Sequence, residues 1–97
     1  MRPYPGNAWP ATLITVSIDH EAEIPPFAQL AAILRAQIMA GELRPGRALP
    51  SLTYLMQHYG LSRNTVRRAI GVLADEGLVR TRPGWGTFVV PESERRA

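Results

Sequence analysis

The stretch Ser62-Arg63-Asn64-Thr65-Val66-Arg67-Arg68 gathers hydrogen-bonding side chains at a spacing that suits a helix. On a helix Arg63 and Arg67, four apart, share one side, Asn64 and Arg68 lie beside them, and Val66 is the residue turned to the core. Arginine offers a planar fork that reaches guanine O6/N7 or phosphate, and asparagine pairs with adenine. Thr65 adds a methyl for thymine or a hydroxyl for phosphate. This is the chemistry of reading a duplex, with no bond made or broken. A second group follows, in which Arg80 and Arg82 alternate with Val79 and Thr81 and lead into Arg82-Pro83-Gly84-Trp85-Gly86. Gly84 and Gly86 permit a narrow tip able to approach a minor groove or a phosphate closely. Trp85 has two readings: an exposed ring pressed against the sugar-phosphate backbone, or a structural clasp folded back on the domain, the commoner fate of an indole.

Charge supports the same grouping. The net charge of +3 is unevenly spread. Residues 1–43 carry Arg2 and Arg35 against Asp19, Glu21, Glu23 and Glu42. Residues 44–82 carry Arg44, Arg47, Arg63, Arg67, Arg68, Arg80 and Arg82 against Asp75 and Glu76 alone. Residues 83–97 cancel. A concentrated positive stretch steers the encounter with a polyanion. The two carboxylates of that stretch fall at the far end of the arginine-bearing segment, clear of its start. Every basic side chain is arginine and none is lysine.

Other chemistries find little support. Without cysteine there is no disulfide framework and no thiolate metal site. His20 lies near Asp19, Glu21 and Glu23, a loose acidic patch without metal-ligand spacing. His58 has no clustered carboxylate, and Ser51 and Ser62 read as helix caps because no base accompanies either. No catalytic residue, cofactor or metal is expected. No signal peptide and no membrane-length apolar run is present, so the cytoplasm is the expected location.

These residues need elements to position them. Residues 1–11 are expected to form a flexible tail, and Leu13 to Asp19 a short strand or an extended segment. Pro25-Pro26 opens a helix over about 26–40, with Phe27, Leu30, Ala31, Leu34 and Ile38 as its apolar stripe. Gly41 and Pro45-Gly46 end it in a turn. Ser51 caps a short helix over about 52–59 that buries Leu52, Leu55, Met56 and Tyr59 and stops at Gly60. Ser62 caps a third over about 63–76, with Leu61 and Val66 at the spacing of a hydrophobic staple and Val66, Ala69, Ile70 and Leu73 inward. The runs 78–81 and 87–90 form a hairpin, a wing over 78–90, and residues 91–97 a polar tail. The architecture is mainly α with a small β-hairpin wing, a winged helix-turn-helix spanning 12–90. The tight joint Gly60-Leu61-Ser62 sets the second and third helices at a steep angle, so that the third can enter a major groove.

Three stretches, IPPFAQLAAILRAQIMAGELRPGRALPS, YGLSRNTVRRAIGVLADEGLV and RPGWGTFVV, make residues 25–90 resemble the N-terminal DNA-binding domain of the GntR family of bacterial transcription regulators. The resemblance implies that Ser62, Arg63, Thr65 and Arg67 occupy recognition-helix positions that contact operator DNA. It places Gly84 and its neighbours on the wing that reaches the minor groove, and Ser51 at the small residue that starts the preceding helix. Members commonly carry arginine two residues after that serine, at a DNA-contacting position; here it is Thr53, which keeps a hydroxyl for phosphate but loses the charge. Arg47, in the preceding loop, is the candidate to compensate. Members also usually continue into an effector-binding, dimer-forming or aminotransferase-like domain, so this chain is either a single-domain regulator or a fragment, with no small-molecule effector expected within it.

The expected function is therefore sequence-specific binding of double-stranded DNA and transcriptional regulation, repression rather than activation, as a homodimer on an inverted-repeat operator. The competing reading is a winged-helix module for protein contacts, for which Leu43, Trp9, Tyr4 or Trp85 would supply exposed apolar surface.

Overall fold

The computed structural model describes residues 17–95. The expected N-terminal tail and residues 13–16 of the expected strand or extended segment lie outside them. Of that segment, residues 17–19 have no regular secondary structure, and Ile18 packs against the core.

Helix α1 (Pro26–Met39) begins on a proline pair and has no side-chain cap. Its start is held by Gln29 instead. The Gln29 side-chain amide accepts from the Asp19 N–H at 2.9 Å and donates to the Asp19 and Ile24 carbonyls at 2.8 and 2.7 Å. This satisfies backbone groups of the 19–24 loop and ties the loop to the helix. At the other end, the Gln37 carbonyl accepts from the N–H groups of Glu42 and Leu43. Gly41 makes that reversal at φ 79°, which a side chain rarely tolerates.

Helix α2 (Leu52–Tyr59) and helix α3 (Arg63–Asp75) are each capped by a serine, Ser51 accepting from Tyr54 N–H and Ser62 from Thr65 N–H. Between them Gly60 sits at φ 66°, and the N–H groups of Gly60 and Leu61 converge on the Met56 carbonyl. That closure ends a helix on a left-handed residue and turns the chain within three residues.

Leu30, Leu34 and Ile38 of α1, Leu55 and Tyr59 of α2, and Val66, Ala69 and Leu73 of α3 form one core. Leu43 and Leu49, from the loop after α1, close over it. Leu43 therefore offers no exposed apolar surface. Helices α1 and α3 make the principal helix contact. Arg68, in the middle of α3, lies over Phe27 at the start of α1, and Glu76, just after α3, pairs with Arg35 of α1.

Strands β1 (Val79–Arg82) and β2 (Gly86–Val89) pair antiparallel, Val79 with Val89 and Arg82 with Gly86. Three further bonds join residues 46–49 to the free edge of β2. Gly46 and Leu49 donate to the Val89 and Thr87 carbonyls, and Val89 donates to the Arg47 carbonyl. The wing is thus braced on both sides of β2, with Ala48 bridged to Phe88. After Val90 the chain forms a 3-10 turn at Glu92–Glu94 that lies against the wing.

Candidate nucleic-acid interface

Helix α3 is fixed at both ends. At its start the Ser62 hydroxyl accepts from Thr65 N–H at 3.2 Å and shares a 2.8 Å hydrogen bond with the Thr65 hydroxyl. Leu61 and Val66 are buried on either side of this cap. At its end Glu76 is held by a two-pronged pair with Arg35, at 2.8 and 2.6 Å. The guanidinium holds the Glu76 carboxyl below its ordinary range, and the carboxylate raises Arg35. One of the two acids of the basic stretch is therefore neutralised within the fold.

Between these anchors the helix buries Val66, Ala69 and Leu73 and exposes Arg63, Asn64 and Arg67. Among the described residues Arg63 and Arg67 have no ion-pair partner. Arg68 is a different case. At about 100° per residue it points away from Arg67, and its guanidinium lies 3.9 Å from the centre of the Phe27 ring. That stacking holds it on the α1 flank, so the five polar residues of the first turns do not form one continuous face.

The wing separates its residues by strand alternation. Val79 and Val89 face the core, and Thr81 and Thr87 share a 3.1 Å hydroxyl contact further along that side. Arg80 and Arg82 are on the outer face with Phe88. Arg80 donates to Glu94 at 2.8 Å, so its charge is partnered by the segment after the wing. At the tip Trp85 N–H donates to the Arg82 carbonyl across Pro83 and Gly84, the latter at φ 79°. Proline followed by a positive-φ glycine is the residue pair of a type II turn. Trp85 is 76% exposed and Arg82 lies 5.8 Å from its ring centre. The clasp reading of Trp85 is thereby overturned: at the end of a tight turn over Arg82 to Trp85 the ring stays in solvent.

Residues 26–89 match the family model described as bacterial regulatory proteins, gntR family. The chain belongs to that family. Among relatives similar to this gntR-family chain, the HTH-type transcriptional repressor NagR of Bacillus subtilis (strain 168) is 40% identical over 74 residues. That match takes in 76% of this chain but 30% of the relative, so the chain spans less than a third of the length of such a protein. Among solved structures, AraR(DBD) in complex with operator ORX1 superposes with a TM-score of 0.67 at 39% identity, over 69% of this chain and 81% of that one. YtrA from Sulfolobus acidocaldarius, a GntR-family transcription factor, does so with a TM-score of 0.71 at 35% identity, over 77% of this chain and 79% of that one. The winged helix-turn-helix expected from the sequence is the observed fold.

Within this gntR-family frame, Ser51 caps α2, and Thr53 is exposed one residue into that helix. Arg47 is exposed on the segment braced against β2, with no ion-pair partner among the described residues. The brace is the feature that periodicity missed: Arg47-Ala48-Leu49-Pro50 has no alternation to mark it, and its pairing is decided by β2, about 40 residues away. The described residues contain no cluster of metal-ligating side chains and no helix long and apolar enough to cross a membrane.

Proposed function

We propose that this chain binds double-stranded DNA sequence-specifically and regulates transcription, acting as a repressor by occupying its operator. The observation that carries the reading is the presentation of Arg63, Asn64 and Arg67, free of ion-pair partners, on a helix capped at its start and projected by a three-residue joint. In the major groove these side chains read base edges, with the arginines on guanine or phosphate and asparagine on adenine. Ser62 and Thr65 present hydroxyls, and the α3 N-terminus favours a phosphate beside them. Ser51 and Thr53 at the start of α2, and Arg47 on the braced segment, contact the backbone. Gly84, Trp85 and Arg82 form the wing contact, to which Arg68 adds charge from the α1 flank while Arg80 stays paired with Glu94. The operator complex of the similar AraR domain supports this reading.

One module covers a short site, so two copies bind an inverted repeat with half-sites about one helical turn, or a multiple, apart. The reading assigns no catalysis, cofactor or small-molecule effector to these residues, and places the protein in the cytoplasm. Selection of bound duplexes from a random pool, followed by sequencing, tests all of it together. The expected result is a symmetric motif with fixed spacing; failure to enrich any sequence would overturn the reading.

The exposed indole of Trp85 also suits a protein contact. Salt separates the two: phosphate neutralisation makes affinity fall steeply with salt, whereas an apolar interface barely responds.

A further inference from the structure

We propose that Phe27 is a positioning residue for duplex binding: its ring holds the Arg68 guanidinium, still charged, ready for a backbone phosphate on the α1 flank of helix α3. This rests on the reading of the chain as a duplex-binding module and adds to it a residue that acts without touching DNA.

Phe27 lies in the first turn of α1, directly after Pro25-Pro26. It is half-buried and packs against the core. The Gln29 side chain, bonded to Asp19 and Ile24, ties the preceding loop to the same turn. The ring is thus fixed by the fold, and the Arg68 guanidinium carbon stands over it, 3.9 Å from its centre. Apolar spacing marks Phe27 as one more residue of the core stripe; the structure shows it serving also as a platform. The other ring beside an arginine, Trp85, is 76% exposed and 5.8 Å from Arg82, and offers no comparable support.

What holds an arginine decides what it can still do. Arg35 and Arg80 are paired with Glu76 and Glu94 at 2.6 and 2.8 Å, which cancels their charge. A ring face attracts the cation without cancelling it, and the guanidinium donors meet no carboxylate there. Arg68 is exposed and has no ion-pair partner among the described residues. The first turn of α1 holds no acid. Along α3 the first carboxylate is Asp75, seven residues on and so about 10 Å further along the axis. Fastening α1 to α3 does not require this cation, since Arg35 and Glu76 already join them. A helix seated in a major groove about 12 Å wide has phosphates along its flanks. Arg68, about 100° round from Arg67, is directed to a flank rather than to the base edges. An unrestrained arginine gives up side-chain freedom on meeting a phosphate, and one already held gives up less.

Affinity for the selected operator, measured across a range of salt, tests the assignment. Arg68→Ala is expected to weaken binding about three- to five-fold and to lower the salt slope by about one counterion. Phe27→Leu, which keeps apolar bulk but removes the ring, is expected to cost about two- to three-fold. Phe27→Tyr, which keeps the ring, should bind about as tightly as the parent. In an Arg68→Ala background the Phe27→Leu loss should vanish, because the ring acts only through that cation. Equal losses from Phe27→Leu in both backgrounds, or a salt slope unchanged by Arg68→Ala, would overturn the inference. Either result leaves the duplex-binding reading intact, since Arg63 and Arg67 are tested separately. Because Phe27 also packs on the core, NMR of the parent supplies a measurement that needs no variant. The ring current of Phe27 should move the Arg68 side-chain protons upfield, and that shift should persist in the operator complex. Its disappearance on binding would assign the contact to the free fold alone and overturn the inference. If selection enriches no operator, both readings fall together.

Discussion

Helix α3 and the wing carry arginines at similar density but hold them in opposite ways. On α3, Arg63 and Arg67 have no ion-pair partner among the described residues, and stability comes from the helix's margins: the Ser62 cap, the buried Val66, and the Arg35–Glu76 pair. On the wing, Arg80 is occupied by Glu94 and Arg82 lies against Trp85, while the two-stranded hairpin depends on the 46–49 segment for its second brace. The helix is a rigid element with free charge, and the wing a supported element with its charge already engaged. Counting basic residues therefore overstates what the wing can give to a phosphate and understates the difference between adjacent arginines such as Arg67 and Arg68. Availability is set by what the fold places opposite each guanidinium.

The largest effect is expected at the free arginines of α3. Arg63→Ala and Arg67→Ala are each expected to weaken operator binding by roughly 5- to 150-fold, the loss of about 1–3 kcal/mol for a well-placed base contact. Folding should be unaffected, since both side chains are exposed. Titration of an identified operator checks this; two variants binding as tightly as the parent would leave α3 without its assigned role. By contrast Arg68→Ala, whose side chain is stacked on Phe27, should cost less than either.

Removal of the cap tests whether the start of the helix depends on it. Ser62→Ala is expected to lower stability by about 1 kcal/mol, because it leaves the Thr65 N–H without its partner. Urea unfolding reads the change, and an unchanged midpoint would show that the buried Leu61 and Val66 suffice alone.

On the wing, Glu94→Gln should release Arg80. The expected outcome is a few-fold rise in affinity for non-specific duplex at low salt and a steeper dependence on salt, up to about one further counterion. A salt slope equal to the parent's would mean that Arg80 does not reach the backbone even when free.

The smallest effect is expected at the end of α3. Glu76→Gln should cost roughly 0.5 kcal/mol at neutral pH, in keeping with a largely exposed ion pair. Because the folded-state value of Glu76 is lowered from 4.5, its contribution is present above that pH and is lost as the pH falls through the folded-state value. Parent and variant should thus converge in acid, a comparison that two urea titrations settle.

Much of this was legible from residue order. Ser51, Gly60 and Ser62 act on groups three or four residues away, so caps and the joint follow from local hydrogen bonding and backbone sterics. The spacing of Val66, Ala69 and Leu73 determines which side of α3 is buried, and hence that Arg63, Asn64 and Arg67 face out. The start of α1 was less legible, because the Gln29 side chain that holds it reads in sequence as one more polar residue.

By itself, then, the sequence determined the three helices, their caps, the hairpin with its glycine turn, and the concentration of arginine on the third helix and the wing. Each depends on contacts within a few residues. Only the tertiary structure decided that Arg68 rests on Phe27, that Arg35 reaches Glu76, that residues 46–49 brace β2, that Glu94 returns to Arg80 and that Trp85 stays in solvent. The first four join residues 14 to about 40 positions apart, and nothing in the local pattern of either partner specifies the other. They follow from how α1 crosses α3 and where the wing lies against the loop after α1. The exposure of Trp85 follows from its place at the tip of the wing, where the fold leaves most of the ring in solvent.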